Sequence, residues 1–418
     1  MNRTVTAGER YGTVRAVASK SMAHRLLIGA ALSSGETQIL CEGFSKDILA
    51  TANCLNALGA QISFLKEGKI AVRPIKNKPE GLCRLPCGES GSTIRFLLPV
   101  VGALGVEAVF EREGRLPERP LYPLDRELTA HGMTLCEKGK ELFVSGKLQA
   151  GEFTLPGDVS SQFVSGLLFA LPLLSGNSRL TVSGRVESAD YIALTEDVLE
   201  KNGVLFTKTQ QTYEIEGSQE YHSPKTQAVE GDYSNAAFFL VLGALSKKGV
   251  TLTGLDPDSK QGDKRILSIL SDFGAEVFGC ENGITVRRGH LRGKTVDVAA
   301  IPDLVPVLSV LAAVSEGQTR FVNAARLRLK ESNRLEGTAE WLGRLGADIF
   351  VEEDCLVVRG KPQLQGHTIN SFSDHRVAMA AAVAAAVCQN EVVVEDALCV
   401  EKSYPKFWAD FDGLEVDS

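Results

Sequence analysis

Two interleaved series of helix-stop residues with one period constrain this chain more than any other feature of its sequence. Six apolar stretches, IGAALSSGETQIL, VVGALGVEAVF, ALPLLSGNSRLTV, VLGALSKKGVTLT, VLAAVSEGQTRFV and VAAAVCQNEVVV, each pass from helix-forming residues through a stop into a β-like run. Their stops are Gly35, Gly105, Gly176, Gly249, Gly317 and Asn390, spaced by 70, 71, 73, 68 and 73 residues. A second series runs LNALGAQISF, LTAHGMTL, LEKNGVLF, LSDFGAEVF, LGRLGADIFV and ADFDGLEV. Its glycines, 59, 132, 203, 274, 346 and 413, are spaced by 73, 71, 71, 72 and 67. Gly and Asn accept the left-handed backbone that closes a helix, so each stop predicts a helix end followed at once by a strand. One such series is unsurprising in a chain with 40 glycines, but two series in phase are not. The chain therefore reads as six units of about 71 residues, each with two helices and several strands.

A length of 418 residues exceeds what one hydrophobic core holds, so six units predict two domains of three. The division is expected near residues 220 to 230, where the polar EGSQEYHSPKTQ reads as a crossing segment. A net charge of −7 argues against nucleic-acid binding and against attraction to anionic membranes. The start at Met1 carries no signal-peptide pattern, and no apolar run is long enough to span a bilayer. The most apolar stretch, VAMAAAVAAAVC, has twelve residues and reads as a buried helix. Nine cysteines without a CxxC pair predict reduced thiols in a cytoplasm. Cys83 and Cys87 have no second ligand pair, so zinc is not expected.

Aligning the units brings the unusual residues to one place, the start of each first helix. There stand ASKSMAHR, GESGSTIR, GDVSSQF, GDYSNAA, IPDLVPV and FSDHRVA. Ser, Asp, Asn and Gly at such positions are ordinary helix caps. Lys20, Arg25, Arg95, Gln162 and Arg376 are not. Val14 to Gly35 reads as a short strand, a turn and a helix closed by Gly35, with Lys20, His24 and Arg25 crowding the helix start. That end already carries partial positive charge, so either an anionic ligand or an acidic residue from elsewhere must offset the bases. The densest basic run is RFVNAARLRLKESNRLEG, where Glu331 and Glu336 are the only acids. Its ARLRLK alternates like a strand with one buried face, which would place Lys330, Glu331 and Arg334 at the strand end and the next helix start. CGESGS lacks the His and Asp context of a serine nucleophile, and neither a dinucleotide fingerprint nor a phosphate loop is present. His375 has no second His at metal spacing and reads as a hydrogen-bonding site residue.

In order along the chain, SKSMAHR, GESGSTIR, ERP, SSQF, SADYI, VEGDYSNAA, IPD, LKESNRL, SDHRVAMA and EKSYPKF resemble the 5-enolpyruvylshikimate-3-phosphate synthase family. KESNR together with DHRVAM is the most specific part. The resemblance implies an α/β fold of two similar inside-out α/β barrel domains, each of three βαβαββ repeats. Residues 19–226 would form the shikimate-3-phosphate side, residues 1–18 plus 227–418 the second domain, and the site would lie in a cleft between them that closes on its ligands. The family's reaction moves the enolpyruvyl group of phosphoenolpyruvate onto the 5-hydroxyl of shikimate 3-phosphate and releases phosphate, without cofactor or metal.

Carried over residue by residue, the resemblance assigns shikimate 3-phosphate to Ser21, Arg25, Ser160, Ser161, Gln162, Ser188, Tyr191, Asp303, Arg326 and Lys330. It assigns phosphoenolpyruvate to Lys20, Gly91, Arg119, Gln162, Arg334, His375, Arg376 and Lys402. Protonating the methylene requires an acid and the hydroxyl proton requires a base. The expectation is Glu331 as acid and Asp303 as base, with Lys20 assisting. Gly91 further implies inhibition by glyphosate, which a bulkier residue would crowd. Glu89 and Arg326 depart from the family's more usual Asn, and Asn333 from its frequent Asp. Glu89 must point away from an anion site or pair with a base, Arg326 adds charge favourable to phosphate, and Asn333 changes little. A cytoplasmic monomer acting on small molecules, with neither nucleic-acid nor membrane partners, is expected. Two rivals remain at this stage. One is the related UDP-N-acetylglucosamine enolpyruvyl transferase family, whose loop cysteine is missing from EREGRLPERP; the other is an inactive sensor of phosphorylated metabolites.

Overall fold

The computed structural model describes residues 1–280 and 283–417. Among them, α-helices of two kinds alternate along the chain. They are α1 (Lys20–Ala31), α2 (Lys46–Ala57), α3 (Gly91–Leu104), α4 (Leu124–Ala130), α5 (Ser161–Ala170), α6 (Ala189–Lys201), α7 (Tyr233–Leu245), α8 (Ile266–Phe273), α9 (Val305–Ala313), α10 (Arg334–Arg344), α11 (His375–Ala384) and α12 (Phe407–Asp412). Beyond their polar starts the odd-numbered helices are mainly apolar and buried; every residue of α7, α9 and α11 is buried. The even-numbered ones bury a stripe, as α6 does with Ile192, Leu194, Thr195, Val198 and Leu199. Core helices and surface helices differ in this way because only a one-sided apolar pattern leaves a face for water.

Strands lie outside the core helices. Glu152–Pro156 pairs parallel with Ser178–Ser183, with α5 as the crossover; Ser178–Ser183 then pairs antiparallel with Thr212–Ile215, and that strand with Phe206–Thr209. Phe153, Leu155, Leu180 and Val182 point inward while their neighbours face out, the alternation of a sheet covered on one side. The same order recurs in Cys83–Gly88, Ala108–Arg112, Glu141–Gly146 and Met133–Lys138, and in Thr295–Asp297, Gln318–Val322, Cys355–Arg359 and Asp348–Glu352.

Two compact units result, Lys20–Val229 and Met1–Ser19 with Glu230–Ser418. The strands before α1 and α7 are exchanged between repeats. Glu9–Arg15 precedes α1 but pairs parallel with Val250–Thr253 after α7, whereas Thr226–Ala228 precedes α7 but pairs parallel with Thr37–Leu40 after α1. The polar stretch 216–227 belongs to the unit Lys20–Val229, where buried Tyr221 donates its hydroxyl to the carbonyl of Phe169. Among the described residues the sixth repeat has no hairpin of its own. Arg3–Val5 completes the sheet of Val392–Glu395, and Glu415–Asp417 pairs with Glu9–Arg15.

The two series of stops differ in what they do. In the second series Gly59, Gly132, Gly203, Gly274 and Gly346 have positive φ and stand at or one residue past the helix cap; Gly413 also caps its helix but with φ in the right-handed region. In the first series only Gly105 is itself a left-handed cap. Helix α1 ends at Ala31, four residues before Gly35, and α5 and α11 tighten into 3-10 turns at Leu171–Leu173 and Ala385–Val387. The glycines that follow serve the turn into the strand instead. A Cβ on Gly249 would lie 2.6 Å from the Val286 carbonyl oxygen. The period is thus real, but the expected helix closures at Gly35, Gly176, Gly249, Gly317 and Asn390 are not. The expected strand at ARLRLK is also absent: Ala325–Leu329 is a 3-10 helix, with Leu327 buried and Leu329 60% exposed. The preceding strand ends at Val322 and Asn323 takes a left-handed φ of 59°, which breaks the extended run.

Candidate functional site

In the unit Lys20–Val229, the helix starts named from the sequence carry the polar side chains. Four of the six clusters also contain true caps: Ser90, Ser160, Asp232 and Asp374 accept from backbone N–H groups of α3, α5, α7 and α11. The three bases at the start of α1 have three different fates. Lys20 Nζ meets Asp47 Oδ2 at 2.8 Å, an acidic partner supplied by α2. His24 is fully buried, and burial pulls its pKa down to about 3, so it carries no charge near neutrality. Arg25 is 2% exposed, and its guanidinium hydrogen bonds go to neutral oxygens: the Ser21 and Tyr191 carbonyls, both at 2.7 Å, the Thr195 hydroxyl at 2.8 Å and the Ser165 hydroxyl at 3.4 Å. Burial lowers its pKa to about 9. The guanidinium also lies 4.9 Å from the centroid of the Phe96 ring. A buried cation held by neutral oxygens and an aromatic face favours an anion nearby.

The neighbouring helix starts add to this polar surface. Arg95 of α3 donates to Gln162 Oε1 of α5 at 2.8 Å, and Gln162 Nε2 donates to Ser92 at 2.8 Å. Gly166 lets the two helices approach this closely, because a Cβ there would collide with the Arg95 carbonyl. At Gly91 a Cβ would lie 2.8 Å from Arg119 Nη1 and 3.0 Å from Arg95 Nη1, so both guanidiniums close over a bare backbone. Glu89 lies over the turn at Gly114, where a Cβ would strike its carboxylate. Ser160 caps α5, Ser161 begins it, and Ser188 caps α6 in a left-handed conformation, φ 58°, unusual for serine.

In the other unit Asp303, Lys330, Glu331 and Arg376 join Asp374 in one ion network centred on Arg334, which is fully buried. Its Nη1 meets Asp303 Oδ1 at 2.7 Å, its Nη2 meets Glu331 Oε2 at 2.6 Å, and its Nε meets Asp374 Oδ2 at 2.7 Å. Asp303 also takes Arg376 Nη2 at 3.1 Å and Lys330 Nζ at 3.3 Å. Burial pushes the Asp303 carboxyl up, but Arg376, Lys330 and Arg334 together outweigh it and hold the pKa well below the usual range. For Lys330 burial wins: it lowers the ammonium pKa, with help from Arg326 and Arg334 and against Asp303. His375 is buried beside Asp374, with its Nδ1 4.0 Å from Oδ1. Lys402 is buried at the end of the 3-10 helix Ala397–Lys402, and Arg326 Nη1 reaches the Ala299 carbonyl at 3.5 Å.

Several partners were invisible in the sequence. Within the basic run Glu331 and Glu336 are the only acids, and the structure adds partners from outside it: Arg328 pairs with Asp354 as well as Glu336, and Arg320 pairs with Glu352. Asp374 was read as a cap, and it is one, but it also anchors Arg334 forty residues away in sequence and accepts from Ser332 at 2.9 Å. Asp47 and Asp263 were missed outright. Asp263 is buried, accepts from Ser234, and has its pKa raised to about 6 by burial and by Asp303.

His24 makes stability pH-dependent. Its pKa falls from 6.5 unfolded to about 3 folded, so the folded state gives up a proton that the unfolded state binds below pH 6.5. Stability is therefore full above that value and falls as pH drops through the window toward about 3. Lowering the pH from 7 to 5 is expected to cost about 2 kcal/mol from this group alone. Urea unfolding at the two pH values should show that loss, and His24→Gln should remove it.

With this geometry in view, the chain was compared with known proteins. The family model described as EPSP synthase (3-phosphoshikimate 1-carboxyvinyltransferase) matches residues 6–411. A protein of Clostridium kluyveri named 3-phosphoshikimate 1-carboxyvinyltransferase is 44% identical over 413 residues, 97% of this chain and 96% of that protein. One of the same name from Clostridium perfringens is 40% identical over 98% of this chain and 97% of its own length. The solved EPSP synthase of Acinetobacter baumannii superposes with a TM-score of 0.82 at 23% identity, covering all of both chains. The enolpyruvyl transferase NikO of Streptomyces tendae gives 0.80 at 18%, over 99% of this chain and 97% of its own. The last two establish a shared fold, two domains of the inside-out α/β type. The family match across nearly the whole chain and the identity to the clostridial proteins go further, and on them the chain belongs to the EPSP synthase (3-phosphoshikimate 1-carboxyvinyltransferase) family.

Proposed function

We propose that the helix starts of the unit Lys20–Val229 and the Arg334 network of the other unit together carry out this family's reaction. The chain is a transferase: it moves the enolpyruvyl group of phosphoenolpyruvate to the 5-hydroxyl of shikimate 3-phosphate and releases phosphate, in aromatic amino acid biosynthesis. Both substrates are polyanions, and in a chain of net charge −7 only clustered cations offset their repulsion. The observation that carries the site reading is Asp303, a partly buried carboxylate shared by three cations.

That arrangement couples binding to chemistry. With Arg334, Arg376 and Lys330 around it, Asp303 is a weak base. When the phosphate and carboxylate of phosphoenolpyruvate draw Arg334 and Arg376 to themselves, Asp303 regains basicity and takes the proton of the 5-hydroxyl. The hydroxyl oxygen bonds to the enol carbon as Glu331 delivers its proton to the methylene. The tetrahedral adduct then breaks its carbon–oxygen bond to phosphate, the methyl group returns a proton to Glu331, and the Asp303 proton leaves with phosphate. Lys20 assists proton transfer at the donor. Arg25, Ser21, Ser160, Ser161, Gln162, Ser188, Tyr191, Arg326 and Lys330 hold shikimate 3-phosphate, while Gly91, Arg119, His375 and Lys402 complete the phosphoenolpyruvate contacts. We place the enzyme in the cytoplasm as a monomer; among the described residues no helix is long and apolar enough to cross a membrane.

Phosphate release from phosphoenolpyruvate tests the reading, with shikimate 3-phosphate in one reaction and UDP-N-acetylglucosamine in another. Release in the first alone is expected. Release in the second alone, or in neither, would overturn it.

A further inference from the structure

A chain of buried hydroxyls links α1 to the start of α3, and its hydrogens can be assigned. His24 Nδ1 lies 2.7 Å from Thr51 Oγ1, Thr51 Oγ1 lies 2.6 Å from Thr93 Oγ1, and Thr93 Oγ1 donates to Ser90 Oγ at 2.7 Å. His24, Thr51, Thr93 and Ser90 are each no more than 1% exposed, so water does not complete these bonds. A hydroxyl has one hydrogen to give. Thr93 spends its hydrogen on Ser90, so the contact between the threonines is donated by Thr51. With the Thr51 hydrogen spent there, the contact to His24 is donated by Nδ1–H. His24 Nε2 is then the unprotonated nitrogen, in keeping with its lack of any hydrogen-bond partner. At the other end Ser90 Oγ accepts twice, from the Thr93 hydroxyl and from the Thr93 backbone N–H at 3.3 Å. Both of its lone pairs are occupied, so Ser90 can act toward a third group only as a donor.

We propose that His24, Thr51 and Thr93 are positioning residues for the transfer reaction, forming a one-way hydrogen-bond chain that commits the Ser90 hydroxyl to donate at the phosphoenolpyruvate-binding start of α3. The assignment rests on the preceding reading only in placing phosphoenolpyruvate beside Gly91, the residue next to Ser90. The sense of the chain rests on hydrogen counting alone. Its value to a phosphoryl or carboxylate group is that the donor is fixed before the ligand arrives and its hydrogen has no competing acceptor within the chain. A serine free to rotate would as readily present a lone pair, which repels an anion.

Two measurements test this. Nitrogen-15 NMR of protein labelled at histidine should show His24 protonated at Nδ1 near neutral pH; protonation at Nε2 would overturn the assignment, whatever the enzyme's activity proves to be. In steady-state kinetics Ser90→Ala should raise KM for phosphoenolpyruvate about 10-fold, the scale of a lost bond to a charged acceptor, with KM for shikimate 3-phosphate little changed. Thr51→Val should raise the same KM about 3-fold and shift the His24 signal, and Thr51→Ser should restore both. Unchanged KM for phosphoenolpyruvate in folded Ser90→Ala and Thr51→Val proteins would reduce the chain to a structural tie. Absence of turnover in the wild-type protein would count instead against the reaction, leaving the NMR result to decide the hydrogen-bond sense.

Discussion

Arg334→Met is expected to lower the folding free energy by about 3–5 kcal/mol, measured by chemical denaturation. Arg334 has no exposed side-chain surface, and neither has Asp374, which takes two of its hydrogen bonds, at 2.7 and 3.1 Å. Removing the guanidinium leaves Asp374 charged and buried, and frees Asp303 and Glu331 to repel each other. Burial pushes the Asp374 carboxyl up and the Arg334 charge outweighs it; without Arg334 only His375 and the hydrogen bonds from Ser332 and the Arg376 backbone N–H offset the burial cost. Asp374→Asn in the Arg334→Met background should therefore recover part of the loss, although the same substitution alone destabilises. If the two changes proved additive, the pair would not be coupled and the network would contribute little to stability.

Glu331→Gln is expected to lower turnover by ~100-fold or more while leaving both KM values nearly unchanged. Glutamine keeps the size of the side chain and an oxygen that can accept from Arg334 Nη2, the bond Glu331 makes at 2.6 Å. What it lacks is a transferable proton. Single-turnover measurements with enzyme in excess should place the loss in the formation of the tetrahedral adduct. Near-normal turnover would remove Glu331 from the role of acid and leave Lys20 as the candidate donor. The analogous Asp303→Asn change should instead alter binding as well as rate, because it strips the shared carboxylate from three cations at once.

How much of this was legible in the sequence depended on the distance over which each signal acts. The helices of the repeat, the buried α11 and the polar helix starts are local patterns of apolar spacing and turn residues, and they could be read directly. The fate of the bases could not. Lys20, His24 and Arg25 look alike as a cluster of three cations, but one meets Asp47, one is neutralised by burial and one is held by neutral oxygens and the Phe96 ring. Each outcome depends on a residue brought in from another helix. ARLRLK misled for a related reason: its alternation matches a strand, but the backbone turn at Asn323 and the acids that meet Arg328 select a 3-10 helix.

By itself the sequence determined the six-fold repeat, the class of fold and the family, because these are written in periodic apolar spacing and in contiguous motifs such as KESNR and DHRVAM. Tertiary structure alone decided which charges are compensated. The exchange of strands between the repeats of α1 and α7, the meeting of Arg334 with Asp303 and Asp374, and the run of hydroxyls from His24 to Ser90 all join residues tens to hundreds of positions apart. Ionisation and hydrogen-bond sense follow from burial and from the nearest partner, and neither quantity exists until the chain has folded.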